Sequence, residues 1–228
     1  MNMKKIDKIL EELGHKRLTG SANRTRKWLI KHQIPSREFG IRLAFGPDDD
    51  LTALVGLHEA LEIAVNPGMG GSVFVCTELS GEHDRYINRF AEAHGISRSE
   101  LDRDFSVLTV TDPLSKTRAI TKIKKHLNKV GSVDLLVVSN YGDIVKTRSN
   151  SSVSHALMNL ESLGCAISVI HTEMRSKLGV FSGGQNNADI PSFIVRVTKD
   201  DDERNGAVLT CTKSRDTDGN HVVMQQLL

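Results

Sequence analysis

The residues with the most chemical content in this chain lie between Gly46 and Ala53 and read G-P-D-D-D-L-T-A. They follow a strand-like run, Gly40–Phe45, and lead into a periodic apolar run that predicts a helix over about Leu51–Val65. A glycine-rich turn and a second strand-like run, Ser72–Thr77, come next, so the stretch reads as a βαβ unit. The turn after the first strand of such a unit is where a nucleotide-binding protein places phosphates, against the free N–H groups of a helix N-terminus. Here that turn carries Asp48, Asp49 and Asp50. Carboxylates in a first helical turn satisfy those N–H groups and the positive end of the helix dipole themselves. They fill an anion site from within and repel a triphosphate, whether they serve as a helix cap or as a deliberate block.

Other chemistries lack their basic signals. The nine histidines form no close pair with zinc-ligand spacing and there is no H-E-x-x-H, so no metal site is expected. No G-x-S-x-G elbow occurs, nor a G-x-G-x-x-G after a strand. The Gly68–Gly71 cluster precedes a strand rather than a helix, a poor place for a phosphate cradle. Cys76, Cys165 and Cys211 include no C-x-x-C pair, and an odd number spread through apolar runs fits buried, reduced thiols and a cytoplasmic setting.

The elements that must position these residues alternate from Phe39 onward. After the βαβ unit the pattern predicts a helix over about Glu82–His94, a strand over Ser106–Thr111 and a helix from Pro113 to about Val130. Val133–Ser139 (VDLLVVS) is a continuous apolar run, as in a parallel strand buried on both faces. A polar loop, Gly142–Ser152, leads to a helix over Val153–Leu163, a strand over Ala166–His171 and a long Gly/Asn-rich loop, Thr172–Asp189. Three strand-like runs then follow without helices, Ser192–Thr198, Gly206–Lys213 and His221–Leu227, with turn-like DDDERN and SRDTDGN between them.

At 228 residues the chain suits one moderate domain with a small appendage. Its 39% hydrophobic and 25% charged residues are those of a globular protein, and no apolar run reaches the length of a membrane span. A net charge of +2 makes any electrostatic case a local one. Residues 1–37 read as a basic helical extension, with helices over Met3–Leu13 and Arg24–His32, the second carrying Trp28 and Leu29 and stopped by Pro35. This extension, with nine Lys/Arg against three acids up to residue 35, reads as the one strongly basic block. Arg24, Arg26 and Lys27 are candidates for phosphate contact, and the stripe of Ile6, Ile9, Leu10 and Leu13 for docking on the core or on a neighbouring copy.

From residue 38 to 228 this order of elements and turns resembles the RecA-like ATPase core shared by recombinases, KaiC-type proteins and hexameric DnaB-type helicases. The resemblance implies a three-layer α/β core, a mainly parallel central sheet with antiparallel strands at one edge. It also implies roles for particular positions. The family's phosphate loop, G-x-x-x-x-G-K-[ST], aligns with Gly46, Pro47, Asp48, Asp49, Asp50, Leu51, Thr52 and Ala53. Leu51 then stands for the second glycine, Thr52 for the lysine and Ala53 for the magnesium-binding hydroxyl. Glu78, in Cys76-Thr77-Glu78-Leu79-Ser80, matches the glutamate that polarises the attacking water. Ser139 takes the place of the aspartate that supports magnesium, and His171 the place of a polar nucleotide sensor.

Two polar loops correspond to the family's DNA-facing loops and offer Lys146, Arg148, Arg175, Lys177 and Phe181. Lys213-Ser214-Arg215 resembles the K-x-R turn whose cations reach the γ-phosphate of a neighbouring subunit. The resemblance thus implies a degenerate member, catalytically inactive and needing no cofactor, that works in DNA replication, recombination or packaging. Its partners would be copies of itself or an active RecA-like ATPase, together with single-stranded DNA. Two alternatives stay open: an active NTPase using ATP and magnesium with an unorthodox phosphate loop, and a protein-interaction module without DNA contact.

Overall fold

The computed structural model describes residues 28–30, 34–35, 40–139, 150–172, 191–202, 206–214 and 222–228. In chain order the strands and helices are β1 (Trp28–Ile30), β2 (Ile34–Pro35), β3 (Ile41–Gly46), α1 (Asp49–Val65), β4 (Gly71–Cys76), α2 (Gly81–Ala93), α3 (Arg98–Leu101), β5 (Phe105–Thr109), α4 (Thr117–Val130), β6 (Val133–Val138), α5 (Asn150–Glu161), β7 (Ala166–Thr172), β8 (Phe193–Lys199), β9 (Gly206–Ser214) and β10 (Val222–Gln226).

Eight strands form one sheet in the order β10-β9-β8-β3-β7-β6-β4-β5. Pairings from β8 through β5 are parallel, and β8–β9 and β9–β10 are antiparallel. The change follows from the connections, since parallel neighbours need a crossover, whereas the short DDDERN stretch between β8 and β9 permits only a hairpin. Helices cover both faces. Leu57, Leu61 and Ile63 of α1 and Ile87 and Phe90 of α2 pack on one face against Ala44, Phe74, Val137 and Ile170. On the other face Ile123 of α4 and Leu157 and Leu160 of α5 pack against Leu43, Val75, Val138 and Val169. Strands buried on both faces need no polar alternation, which is why β4 and β6 read as continuous apolar runs. α1 is seated deepest. A Cβ on its Gly56 would lie 2.7 Å from Ile170 Cδ1 and 3.1 Å from Val137 Cγ1, so the missing side chain is what lets the helix approach the sheet.

Two local expectations are corrected, and one short helix is added. Trp28–Ile30 is a strand rather than part of a helix, pairing antiparallel with Ile34–Pro35, and the rest of the Arg24–His32 stretch lies outside the described residues. Ile34 is fully buried in the first core cluster, with Leu29 and Ile30 packed on it, so tertiary burial decides a short apolar run that periodicity leaves ambiguous. The short helix α3 carries a capping box, with Ser97 Oγ accepting from Glu100 N and a Glu100 carboxylate accepting from Ser97 N. Its S-x-x-E signature stands in the sequence. α5 begins at Asn150, inside the stretch expected to be a polar loop. Cys76, Cys165 and Cys211 are buried and in no disulfide, as their odd number and their place in apolar runs imply.

One buried ion pair ties three elements together. Arg42, in β3, is fully buried and donates from Nη1 to Glu59 Oε2 and from Nη2 to Glu59 Oε1 of α1, both at 2.8 Å. Nη1 also donates to Ser168 Oγ of β7 at 2.8 Å. Burial pushes the Glu59 carboxyl above its ordinary value, against the pull of the guanidinium. Removing one partner strands the other charge in the core, so Arg42→Ala and Glu59→Ala are each expected to cost about 3–5 kcal/mol in denaturant unfolding. The Arg42→Met/Glu59→Leu double variant is expected to recover most of that loss. Equal losses in the double and single variants would contradict this account.

Candidate functional site

The candidate site lies at the carboxyl edge of the parallel strands. α1 carries the chain from β3 over β7 and β6 to β4, whereas the chain leaving β7 returns on the far side of β3, as β8. Such a switch point opens a crevice at the strand ends, the place where open α/β sheets take ligands.

The turn that frames the crevice is short. β3 ends at Gly46 and α1 begins at Asp49, leaving only Pro47 and Asp48 between them. Asp48 is the N-cap. Its Oδ1 accepts from Leu51 N at 2.9 Å, and its carbonyl accepts from Thr52 N at 3.0 Å and from the Thr52 hydroxyl at 2.6 Å. Asp49, Asp50, Leu51, Thr52 and Ala53, five of the eight residues aligned with a phosphate loop, are therefore already helix. Thr52 and Ala53 are buried. A Cβ at Gly46 would strike the Val197 carbonyl oxygen of β8 and Thr52 Oγ1, so strand and helix packing alone demand this glycine.

Asp48, Asp49 and Asp50 are exposed. The β8–β9 turn, next to them because β8 pairs with β3, adds Asp200, Asp201 and Asp202. Asp200 is buried, its N–H donating to Gly206 O at 2.9 Å and its Oδ1 accepting from Asp202 N at 3.0 Å. Six aspartates thus sit on two adjacent turns at this edge.

Glu78 is exposed just beyond β4. Burial, with the Glu78 charge added, pushes the nearby Cys76 thiol up to about 11. Ser80 Oγ caps α2 by accepting from His83 N at 3.1 Å. The sequence reading missed His83. Its ring meets Phe74 edge-on at 5.8 Å, its Nδ1 is buried without a partner, and burial lowers its pKa against the opposing charges of Asp50 and Glu82. Ser139 follows β6, with its N–H donating to Val75 O at 2.8 Å and its Oγ buried without a partner. The pattern S-x-x-H after a strand end was the only available signal for His83, and it reads equally as a plain helix cap.

These residues do not all converge. By strand alternation Ser139 continues the α1 side of the sheet, the side of Leu135 and Val137. His171, in register with Phe45, continues the opposite side. Lys213 pairs with Ile194, toward the amino end of β8, three residues or roughly 10 Å along the strand from the level of Gly46. Arg215, Lys146, Arg148, Arg175, Lys177, Phe181, Arg24, Arg26 and Lys27 lie outside the described residues. The N-terminal block is also not the one strongly basic stretch. Between Lys116 and Lys129 there are six Lys/Arg and no acid, a cluster masked in the sequence by the apolar residues of an amphipathic helix.

This architecture is RecA-like. The crystal structure of the RadB recombinase matches it with a TM-score of 0.58 over 82% of this chain and 87% of that chain, at 17% sequence identity. No family model and no curated protein matches the sequence. At that identity the likeness concerns the fold.

Burial holds the imidazole of His171 down at about 4, and that of His58, whose Nδ1 lies 2.9 Å from the Tyr86 hydroxyl, at about 4 as well. In the unfolded chain both titrate near 6.5, so the unfolded state takes up the proton first. Stability is expected to be complete above pH 6.5 and to fall as pH drops toward about 4, by up to about 3 kcal/mol for each imidazole. Urea unfolding at pH 7.5 and 5.0 reads this directly. His171→Gln is expected to flatten its share of the slope, and a variant with the wild-type pH dependence would contradict the assignment.

Proposed function

We propose that this chain is a RecA-like subunit without a working nucleotide pocket, acting in DNA recombination, replication or packaging through nucleic-acid binding and assembly. The observation that carries the reading is the two-residue β3–α1 turn, closed by its own Asp48 cap. A triphosphate needs free backbone N–H groups and a cation at that place. Here Asp48 takes one of those N–H groups, two further carboxylates stand in the first turn, and a buried threonine occupies the position of the lysine. The residues present do not fit ATP with magnesium, since neutral Ser139 replaces the carboxylate that would support the metal. Six aspartates on the two turns add repulsion.

In this reading Lys213, with Arg215, serves a neighbouring active subunit, because Lys213 stands at the level of Leu43, three residues along the strands from Gly46, instead of beside it. The DNA-handling role draws on the fold's likeness to a protein named as a recombinase.

Titration calorimetry with ATP and with a non-hydrolysable analogue, both with magnesium, tests the pocket. Neither heat nor thermal stabilisation is expected at millimolar nucleotide. A ligand at a hundredfold excess over its dissociation constant would raise stability by about 2.7 kcal/mol, well within detection. Micromolar binding would overturn the reading in favour of an active NTPase, and Glu78→Gln would then be expected to abolish hydrolysis.

A further inference from the structure

We propose that α4 and the groove beside it bind the phosphodiester backbone of a nucleic acid, on a face distinct from the β3–α1 turn. The inference does not depend on the loss of the nucleotide pocket, since a chain that bound ATP would carry the same face.

The helix has a clear division of labour. Ala119, Ile123 and Leu127 are buried against the sheet. Arg118, Lys122, Lys125 and Lys129 are all exposed, and their spacing of four, three and four residues holds them within about 60° of the helix circumference. At 1.5 Å per residue this row of charges is roughly 16 Å long, the axial length of about five phosphates of one strand. Beside it runs an open groove of ≈ 630 Å³, walled by Thr111 and Asp112 after β5 and by Thr117, Arg118, Lys122 and Lys125 of α4. Thr117 and Thr121, on the helix flank, add hydroxyl donors of the kind that position a phosphate backbone.

Two details orient the cations. Lys122 Nζ donates to Thr109 O at 2.8 Å, which holds the ammonium over the end of β5 and leaves two of its three N–H donors to a ligand. Arg118 Nε lies 3.7 Å from Asp112 Oδ2, with the arginine side chain 88% exposed, so that contact neutralises little of the charge. Asp112 is the acid lining the groove, against three cations that line it.

Helix stability alone does not explain the pattern. Arg118–Lys122 and Lys125–Lys129 are like charges at i,i+4, which destabilise a helix. The first turn holds no acid, and Lys116 at the N-cap makes no side-chain capping bond. The N-terminal N–H groups and positive dipole end therefore add to the cations instead of being offset by a carboxylate. An anion supplied from outside relieves both conflicts.

A repeating backbone suits this face better than a lipid surface does. A membrane-binding helix needs exposed apolar residues to enter the acyl boundary. Among the described residues the exposed large hydrophobics are Met158, Val222 and Met224, on α5 and β10, and the apolar side of α4 is already used by the core.

The test is fluorescence anisotropy with labelled 30-nucleotide single-stranded and duplex DNA, titrated with the full chain over a series of KCl concentrations. The Arg118→Gln/Lys122→Gln/Lys125→Gln/Lys129→Gln variant touches only exposed positions, and a thermal melt confirms that it folds. It is expected to weaken binding at least about tenfold near 0.1 M salt and to lower the slope of log K against log salt by up to about 3–4 on duplex DNA. A matched Lys4→Gln/Lys5→Gln/Lys8→Gln/Lys16→Gln variant is expected to leave the α4 share of that slope in place. Wild-type affinity and slope in the α4 variant would overturn the proposal while leaving the polar loops as candidates. Absence of DNA binding at 50 mM salt would overturn it outright. Capture on phosphatidylserine vesicles without DNA binding would overturn it in favour of a membrane surface.

Discussion

The bidentate contact between Arg42 and Glu59 is the constraint from which the rest of the central layer follows. Moving two charges into a dry core costs several kcal/mol per ion, and only close geometry with further hydrogen bonds offsets it. Two 2.8 Å bonds and a third from Arg42 to Ser168 supply that geometry. The pair also sets lengths. From Arg42 to Gly46 the strand advances roughly 13 Å, and from Asp49 to Glu59 the helix returns about 15 Å. The two legs match, so the chain needs only two residues to turn between them. A long loop at this place would slide α1 along β3 and pull Glu59 away from a buried guanidinium.

That length match shapes the chemistry of the crevice. In a phosphate-binding turn, backbone N–H groups stay free for the ligand. Here the short connection starts the helix early, and Asp48 closes its first turn by accepting from Leu51 N. Thr52 turns its hydroxyl back to the Asp48 carbonyl. Gly46 is held against β8 rather than kept open for an anion. What remains polar near the crevice is dispersed. Ser139 and His83 each keep a buried atom without a partner on the α1 side, while His171 lies across the sheet. A constellation with one reacting centre would need these groups on a single face.

Much of the fold was legible because its signals are local and strong. The apolar runs of β4 and β6, the acidic first turn of α1, and the change from long connections to short acidic turns are all readable from residue type and spacing. β1 was not legible, because three apolar residues before a proline suit a helix end or a strand equally, and burial of Ile34 decides between them. The Asp48 cap was readable from residue type, but the shortness of the turn was not. That length depends on the Arg42–Glu59 pair, whose members lie 17 residues apart and look like ordinary surface charges in the sequence. The α4 stripe was hidden for a different reason. Alternating with Ala119, Ile123 and Leu127, its cations look like the solvated face of any amphipathic helix until the absence of acids is noticed.

A net charge of +2 conceals a strong separation of charge across the sheet. The aspartates of the β3–α1 and β8–β9 turns stand at strands β3 and β8, and the cations of α4 start beyond β5. Four to five strand spacings lie between, roughly 19–24 Å. That is more than twice the Debye length of about 8 Å at physiological salt, so neither cluster neutralises the other. An approaching polyanion is repelled at the centre of the sheet and attracted at its β5 flank. An arrangement that, as proposed, closes the β3–α1 turn to a triphosphate would leave α4 free to hold a phosphate backbone and would keep that backbone away from the turn. On the two readings proposed above, the halves of the charge pattern would act as one device, excluding phosphate at the β3–α1 turn and accepting it along a helix set apart from that turn.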